Sequence, residues 1–264
     1  MISTPPIVKD RLTRLVRQTP LGRAARLEED AEARALQAEL LPRQAPRVDG
    51  YDIAFASAMS GACSGDFFDV FSLNDDMLAL CIADVSGKGL EAACLMRELH
   101  LAVRACAPEA ESPAELCTTV NRLLSGKFAS GKYATMFYGM LRTETRMLRY
   151  ENAGHCLPLL LRADSKVEFP ASFSGVVGLF SHWLYQTQEF QLRSGDTLLL
   201  ITDGVIAAEA RRGREYGYRR LIAAVENARG SSAADLGRAI IEEVSQFSRG
   251  KLRDDASLIV IRVN

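Results

Sequence analysis

The chain divides by its pattern of apolar and polar positions. From Tyr51 to the last residue, short apolar runs alternate with longer stretches in which apolar side chains recur every three or four positions. Residues 51–58, 66–73 and 77–85 read as three successive strands, the second and third joined by a turn at Asn74-Asp75-Asp76. A long helix is predicted over 88–106. Another is predicted over 112–125, where Ser112 and Pro113 take the N-cap and first helical positions. Strands follow at 133–141, 147–152 and 157–162, and the Gly-, Ser- and Phe-rich stretch 163–186 reads as a loop or flap. A buried strand at 197–202, helices at 218–227 and 233–247, and a terminal strand at 256–263 complete the pattern. Strand runs followed by helix pairs predict α+β layering, with antiparallel sheets covered by helices rather than a wound parallel sheet.

Residues 1–47 are different in kind: arginine-rich and poor in aromatics. A short helix is predicted over 7–18, ended by Pro20 and Gly22, and a second from 23 to 41, stopping at Pro42. Residues 1–26 carry six basic side chains against one acid, whereas Glu28, Glu29, Asp30, Glu32 and Glu39 then outweigh Arg34. The apolar stripe of the second helix is mostly alanine with Leu27, Leu36, Leu40 and Leu41, too short for an independent coiled coil. Two readings stay open for it: a helix packed on its own domain, or one that forms a homodimer or docks a separate activator protein. The expected division is therefore a helical segment at 1–47 and one large domain at 48–264.

Composition narrows the function. The 264 residues carry a net charge of −1, which points neither to nucleic acid nor to a membrane surface. The longest apolar runs are strand-sized, far short of the roughly 20 residues of a membrane span. A continuous apolar stretch near the amino terminus is missing, which argues against a secretory signal and for a cytoplasmic protein. Six cysteines without a CxxC pair read as buried reduced thiols. With three dispersed histidines (His100, His155 and His182), any metal has to be held by oxygen ligands.

The informative residues are aspartates. Strand-like stretches begin or end on Asp beside Gly in Ser64-Gly65-Asp66, Asp84-Val85-Ser86-Gly87, Thr202-Asp203-Gly204 and, without the Gly, Asp254-Asp255-Ala256. Aspartate and glycine are both poor strand residues, so local propensity does not explain them. A lone Asp-Gly is ordinarily a turn, and Asp75-Asp76 is such a case. Several carboxylates converging at strand ends would repel one another unless cations neutralise them. Oxygen-only ligands then favour Mg2+ or Mn2+ over Zn2+.

Taken in order, the motifs resemble a family. Ser64-Gly65-Asp66-Phe67-Phe68-Asp69, Asp84-Val85-Ser86-Gly87-Lys88-Gly89 and Tyr133-Ala134-Thr135-Met136-Phe137 are followed by Asn152-Ala153-Gly154-His155, Gly195-Asp196, Thr202-Asp203-Gly204-Val205, Tyr216-Gly217 and Asp254-Asp255-Ala256-Ser257. This succession resembles the PPM-type serine/threonine phosphatases, in the bacterial branch typified by SpoIIE and RsbU, over about residues 30–264. The resemblance implies a four-layer α-β-β-α sandwich with two divalent ions, Mn2+ or Mg2+, at one edge. Asp84 would bridge the ions, the Val85 carbonyl would bind one, Asp203 and Asp254 would hold the other, and Asp66 would complete the site. Asp69 and Asp255 would support it from behind. The implied reaction is direct hydrolysis of phosphoserine or phosphothreonine on a partner protein, a phosphorylated STAS-domain protein being the substrate class of the branch.

Some positions depart from that pattern. Ser64 replaces the first glycine of a Gly-Gly-Asp, Ala207 stands where a glutamate is common, and Ser86 occupies the place of a histidine in eukaryotic relatives. None of these removes a proposed ligand. His155 reads as ordering a turn rather than acting as a base, and His100 and Trp183 read as packing residues. Two other function classes stay open at this stage: a non-catalytic binding scaffold, and a hydrolase of small phosphate esters.

Overall fold

The computed structural model describes residues 31, 41–42, 44–61, 63–128, 131–171 and 174–264. The helices expected over 7–18 and 23–41 lie outside the described residues, apart from Ala31, which is helical, and Leu41. Within the rest, the strands are β1 (Tyr51–Ala58), β2 (Asp66–Asn74), β3 (Met77–Val85), β4 (Ala134–Arg142), β5 (Met147–Ala153), β6 (Leu159–Leu161), β7 (Val167–Glu168), β8 (Gln188–Gln191), β9 (Thr197–Ile201) and β10 (Ala256–Val263). The helices are α1 (Leu90–Cys106), α2 (Pro113–Leu124), α3 (Asp203–Ile206), α4 (Gly217–Asn227) and α5 (Ala233–Phe247).

The strands form two sheets, ordered β1-β10-β9-β6-β7 and β2-β3-β4-β5-β8, and their pairings are antiparallel. Alternation along each strand builds the layers. On β3, Leu78, Leu80 and Ile82 face the other sheet and meet Leu198, Leu200, Ile259 and Ile261. Ala79, Cys81, Ala83 and Val85 face outward onto Met96, Leu99 and Val103 of α1 and Leu116 and Val120 of α2. The second sheet does the same outward with Leu199, Ile201, Leu258 and Val260 against α4 and α5. The result is the expected α-β-β-α sandwich.

Local chemistry starts and stops these elements. Ser112 caps α2, its hydroxyl accepting from the Glu115 amide at 3.2 Å, with Pro113 following. Ser232 caps α5 in the same way through the Asp235 amide at 3.1 Å. α1 starts at Leu90 rather than Lys88, because Gly89 takes φ +74° and breaks the helical path. β7 and β8 appear where the apolar pattern predicts no strand. β7 has two residues, and β8 is a largely exposed edge strand with the sequence Gln-Glu-Phe-Gln, so neither carries a buried alternating face.

All six cysteines are free, but Cys94 is exposed on α1 rather than buried. Asp69 is a second correction. It lies three positions from Asp66 and so faces the opposite side of the sheet, where Oδ2 accepts from Arg104 of α1 at 2.7 Å beside His100. It braces α1 against the sheet and does not support the carboxylate site. His100 does pack as expected, its ring 4.9 Å from that of Phe67. Trp183 is 40 % exposed, but its indole lies so close over Gly175 that a Cβ there would fall 2.4 Å from it.

Gly195-Asp196 has a structural task. Asp196 is buried and accepts from Arg162 at 2.7 Å, from the Arg193 amide at 2.9 Å and from the Ala163 amide at 3.2 Å. Removing Asp196 leaves Arg162 with Glu168 alone, at 2.8 Å, and two backbone amides without their acceptor. Asp196→Ala is expected to cost about 3–5 kcal/mol of unfolding free energy in urea titration, with cation affinity unchanged. A loss below about 0.5 kcal/mol, the usual size for surface changes, would refute this role.

Candidate metal centre

The proposed ligands come from both sheets and meet at one edge. Asp66 opens β2, and its Cα partner across the ladder is Asp84, near the end of β3. Asp203 opens α3 directly after β9, and Asp254 immediately precedes the loop residue that leads into β10. Since β9 and β10 are neighbours in one sheet and β2 and β3 in the other, the fold brings these four carboxylates to the same end of the sandwich.

One hydroxyl joins the two sheets there. Thr202 donates to Asp66 Oδ2 at 2.9 Å and accepts from the Ser257 amide at 2.9 Å, while its own amide donates to the Ser257 carbonyl at 2.9 Å. Asp255 bridges in parallel, accepting from the amides of Ser60 at 2.6 Å and Gly65 at 3.3 Å. Ser64, the departure from Gly-Gly-Asp, accepts from the Asp66 amide at 2.9 Å and so fixes the backbone of the residue it precedes by two.

The carboxylates perturb one another. Burial holds the Asp66 carboxyl well above the usual carboxylate range, and the charges of Asp84 and Asp255 push the same way against hydrogen bonds from Ser257 and Thr202. Asp84 is pushed up to about 6 by burial first and then by Asp203, Asp254 and Asp255, with Lys88 pulling down. Asp203 is also raised, by burial and by Asp254. Lys88 is the nearby positive charge, donating to the Arg253 carbonyl at 2.6 Å and to Asp254 at 3.4 Å.

Among the described residues, no three acidic, histidine or cysteine side chains converge tightly enough to cage an ion in the conformations they adopt. The donor set nevertheless fits hard divalent cations: oxygen ligands, mutually repelling and partly desolvated. Gly65 supports that fit. A Cβ there would lie 2.9 Å from the Val85 carbonyl oxygen and 3.4 Å from Asp84 Oδ1, so glycine keeps both oxygens accessible.

His155 is set apart from this chemistry. Its amide donates to Asn152 Oδ1 at 2.7 Å, its Nδ1 lies 2.8 Å from Thr135 Oγ1, and burial lowers its pKa to about 4. It is a neutral imidazole that fastens the turn after β5 to β4. Ser86 accepts from the Tyr133 amide at 3.0 Å and closes the end of β3. Thr202 and Ser257 were not legible as site residues. The only signal for Thr202 is its place before Asp203 in the Thr-Asp-Gly run.

Known proteins resemble this chain in sequence and in fold. The chain is 26 % identical over 249 residues to phosphoserine phosphatase RsbU of Bacillus subtilis (strain 168), covering 93 % of this chain and 73 % of that one. It is 26 % identical over 286 residues to protein IcfG of Synechocystis, covering 97 % of this chain but 45 % of that one. Among solved structures, the RsbU and RsbW domains of Rv1364c from Mycobacterium tuberculosis superpose with a TM-score of 0.74 at 27 % identity, over 85 % of this chain and 63 % of that one. The SiaA-PP2C domain of Pseudomonas aeruginosa shares the fold at TM-score 0.80 and 17 % identity, over 93 % of this chain and 99 % of that one. No helix among the described residues is long and apolar enough to cross a membrane. The profile of stage II sporulation protein E matches from the last residue of β2 to the end of the sequence, 74–264, and the chain belongs to that SpoIIE family.

Proposed function

We infer that this chain is a metal-dependent protein phosphatase that hydrolyses phosphoserine or phosphothreonine on a partner protein. One observation carries the reading. Carboxylates from two sheets share a partly buried edge, and their repulsion with burial lifts Asp84 to about 6. Such an arrangement is costly to the fold unless it serves cation binding.

In this reading Asp84, Asp203 and Asp254, with the Val85 carbonyl and Asp66, hold Mn2+ or Mg2+, two ions in all. When bound, the cations supply Lewis-acid charge and an acidified water for in-line attack on phosphorus. The chain's own residues do the positioning. Thr202 holds Asp66 at a fixed rotamer, Asp255 ties the loop before β2 to the loop before β10, and Lys88 sits beside Asp254 where an incoming phosphoryl group meets positive charge. Cys156, near enough to feel the charges of Asp203, Asp84 and Asp66, has its thiol pushed up to about 12 by burial and by them, which disfavours a thiolate nucleophile and favours direct hydrolysis. RsbU and RsbP are named phosphoserine phosphatases, and an RsbU domain occurs with an RsbW domain in one solved protein. These names favour a regulatory phosphatase, and the family resemblance adds a cytoplasmic signalling role with a phosphorylated STAS-domain protein as substrate. The arginine-rich segment 1–47 would form a homodimer or dock a separate activator.

Asp84→Asn and Asp203→Asn are each expected to reduce Mn2+-dependent hydrolysis of p-nitrophenyl phosphate and of a phosphoserine peptide to background. Near-normal turnover at limiting metal would refute the assignment. Thr202→Ala should retain the fold and lose about 10- to 100-fold in cation affinity, the usual consequence of losing an outer-shell partner, as measured by calorimetry. A third expectation concerns pH. The Asp84 carboxyl sits at about 6 in the fold, against about 3.9 in an unfolded chain. The metal-free protein therefore loses stability as pH rises from the unfolded value through 6, and a cation that binds the carboxylate form restores it. Mn2+ should raise Tm more at pH 7.5 than at pH 5.5 in thermal scans. An equal shift at both would count against Asp84 as a ligand.

A further inference from the structure

The two carboxylate turns continue into two basic turns. Six residues beyond Asp203, the chain makes a tight loop closed by Ala210 N to Arg214 O at 2.8 Å and Tyr216 N to Ala208 O at 2.8 Å. Before Asp254, the end of α5 turns back through Gly250 N to Ser245 O at 2.8 Å and Lys251 N to Ser248 O at 3.1 Å, with Arg249 at φ +56°. Between these loops lies an open groove of about 450 Å3, lined by Arg211, Arg249, Lys251 and Arg253, with Glu209 as its one acidic side chain among the described residues. The described lining thus carries four basic residues and one carboxylate on a chain whose net charge is −1. Glu209 is already bound to Arg253, and the four basic residues are exposed.

We propose that this groove binds acidic residues flanking the phosphoserine of the protein substrate, and so selects acidic phosphopeptides. The inference rests on the phosphatase reading for its substrate. Its physical grounds are separate. The carboxylates at the metal centre repel an acidic polypeptide, whereas the adjacent groove presents the opposite sign. Arg253 lies next to Asp254 in the chain, and its carbonyl accepts from Lys88 at 2.6 Å, so groove and centre share a wall. An extended peptide advances about 3.3 Å per residue, which lets side chains a few positions from the phosphoserine reach across it. Both walls are hydrogen-bonded turns, so the backbone that carries the basic residues is fixed before the peptide arrives. Exposed opposite charges of this kind steer encounter and discriminate partners more than they add raw affinity.

The test uses fluorescein-labelled nine-residue peptides with a central phosphoserine, flanked either by glutamate or by glutamine. Binding is read by anisotropy in EDTA buffer at low salt, for the wild type and for Arg211→Ala/Arg249→Ala/Lys251→Ala. Turnover of p-nitrophenyl phosphate with Mn2+ is measured on both proteins. Wild type is expected to bind the glutamate peptide about tenfold more tightly than the glutamine peptide, from three exposed pairs acting together. That ratio should fall towards one in the triple variant and in raised salt, with p-nitrophenyl phosphate turnover unchanged. Equal binding of the two peptides by wild type, a preference that survives the triple substitution, or tighter binding of a single-stranded oligonucleotide would overturn the proposal. Loss of metal-dependent turnover in wild type, with the charge preference intact, would instead refute the phosphatase reading and leave the groove standing.

Discussion

Repulsion among carboxylates at the shared edge of two sheets is the constraint around which this structure is arranged. Asp66 and Asp84 come from one sheet, Asp203 and Asp254 from turns of the other, and the fold holds them near enough that burial and neighbouring charge raise three of the four. Without compensation these charges would push the sheets apart. Compensation within the chain is partial: Thr202 and Ser257 stitch the sheets, Asp255 accepts from two amides, and Lys88 offers one positive charge. Divalent cations are the natural completion, because they neutralise several carboxylates at once and are held by oxygen ligands alone.

The rest of the sandwich gives this edge its rigidity. The layer between the sheets is apolar from Leu78, Leu80 and Ile82 across to Leu198, Leu200 and Ile259, so the strands that end in aspartate cannot shift without opening it. α1 is anchored on the outer face by Asp69 and Arg104 and fixes the chain that leaves Asp84 through Gly87 and Gly89. Asn121 of α2 reaches the flap, accepting from the Gly178 amide at 2.7 Å and donating to the Phe180 carbonyl at 2.9 Å. The two helices on this outer face therefore position the chain that leaves Asp84 and the flap.

Much of this was readable from sequence because its signals are periodic. β1 and β3 have the expected bounds, and α2 begins at its Ser-Pro cap, since buried alternation and capping chemistry are local. The aspartates were legible for the opposite reason: they violate strand propensity, and such violations mark function. What escaped was non-local. β8 lacks a buried face, and Thr202 earns its role only through Asp66, 136 positions away. Asp69 was misplaced because the motif Asp-Phe-Phe-Asp was read as one unit, whereas strand alternation sends its two carboxylates to opposite faces. The basic groove is equally invisible in sequence, being assembled from two loops about forty residues apart.

The most direct test of the central claim is anomalous scattering from crystals soaked in Mn2+. The account predicts strong anomalous peaks within coordination distance of the Asp84 carboxylate, with Asp203 and Asp254 as further ligands of at least one of them. Peaks confined to other surfaces, or none at a Mn2+ concentration that shifts Tm, would contradict it.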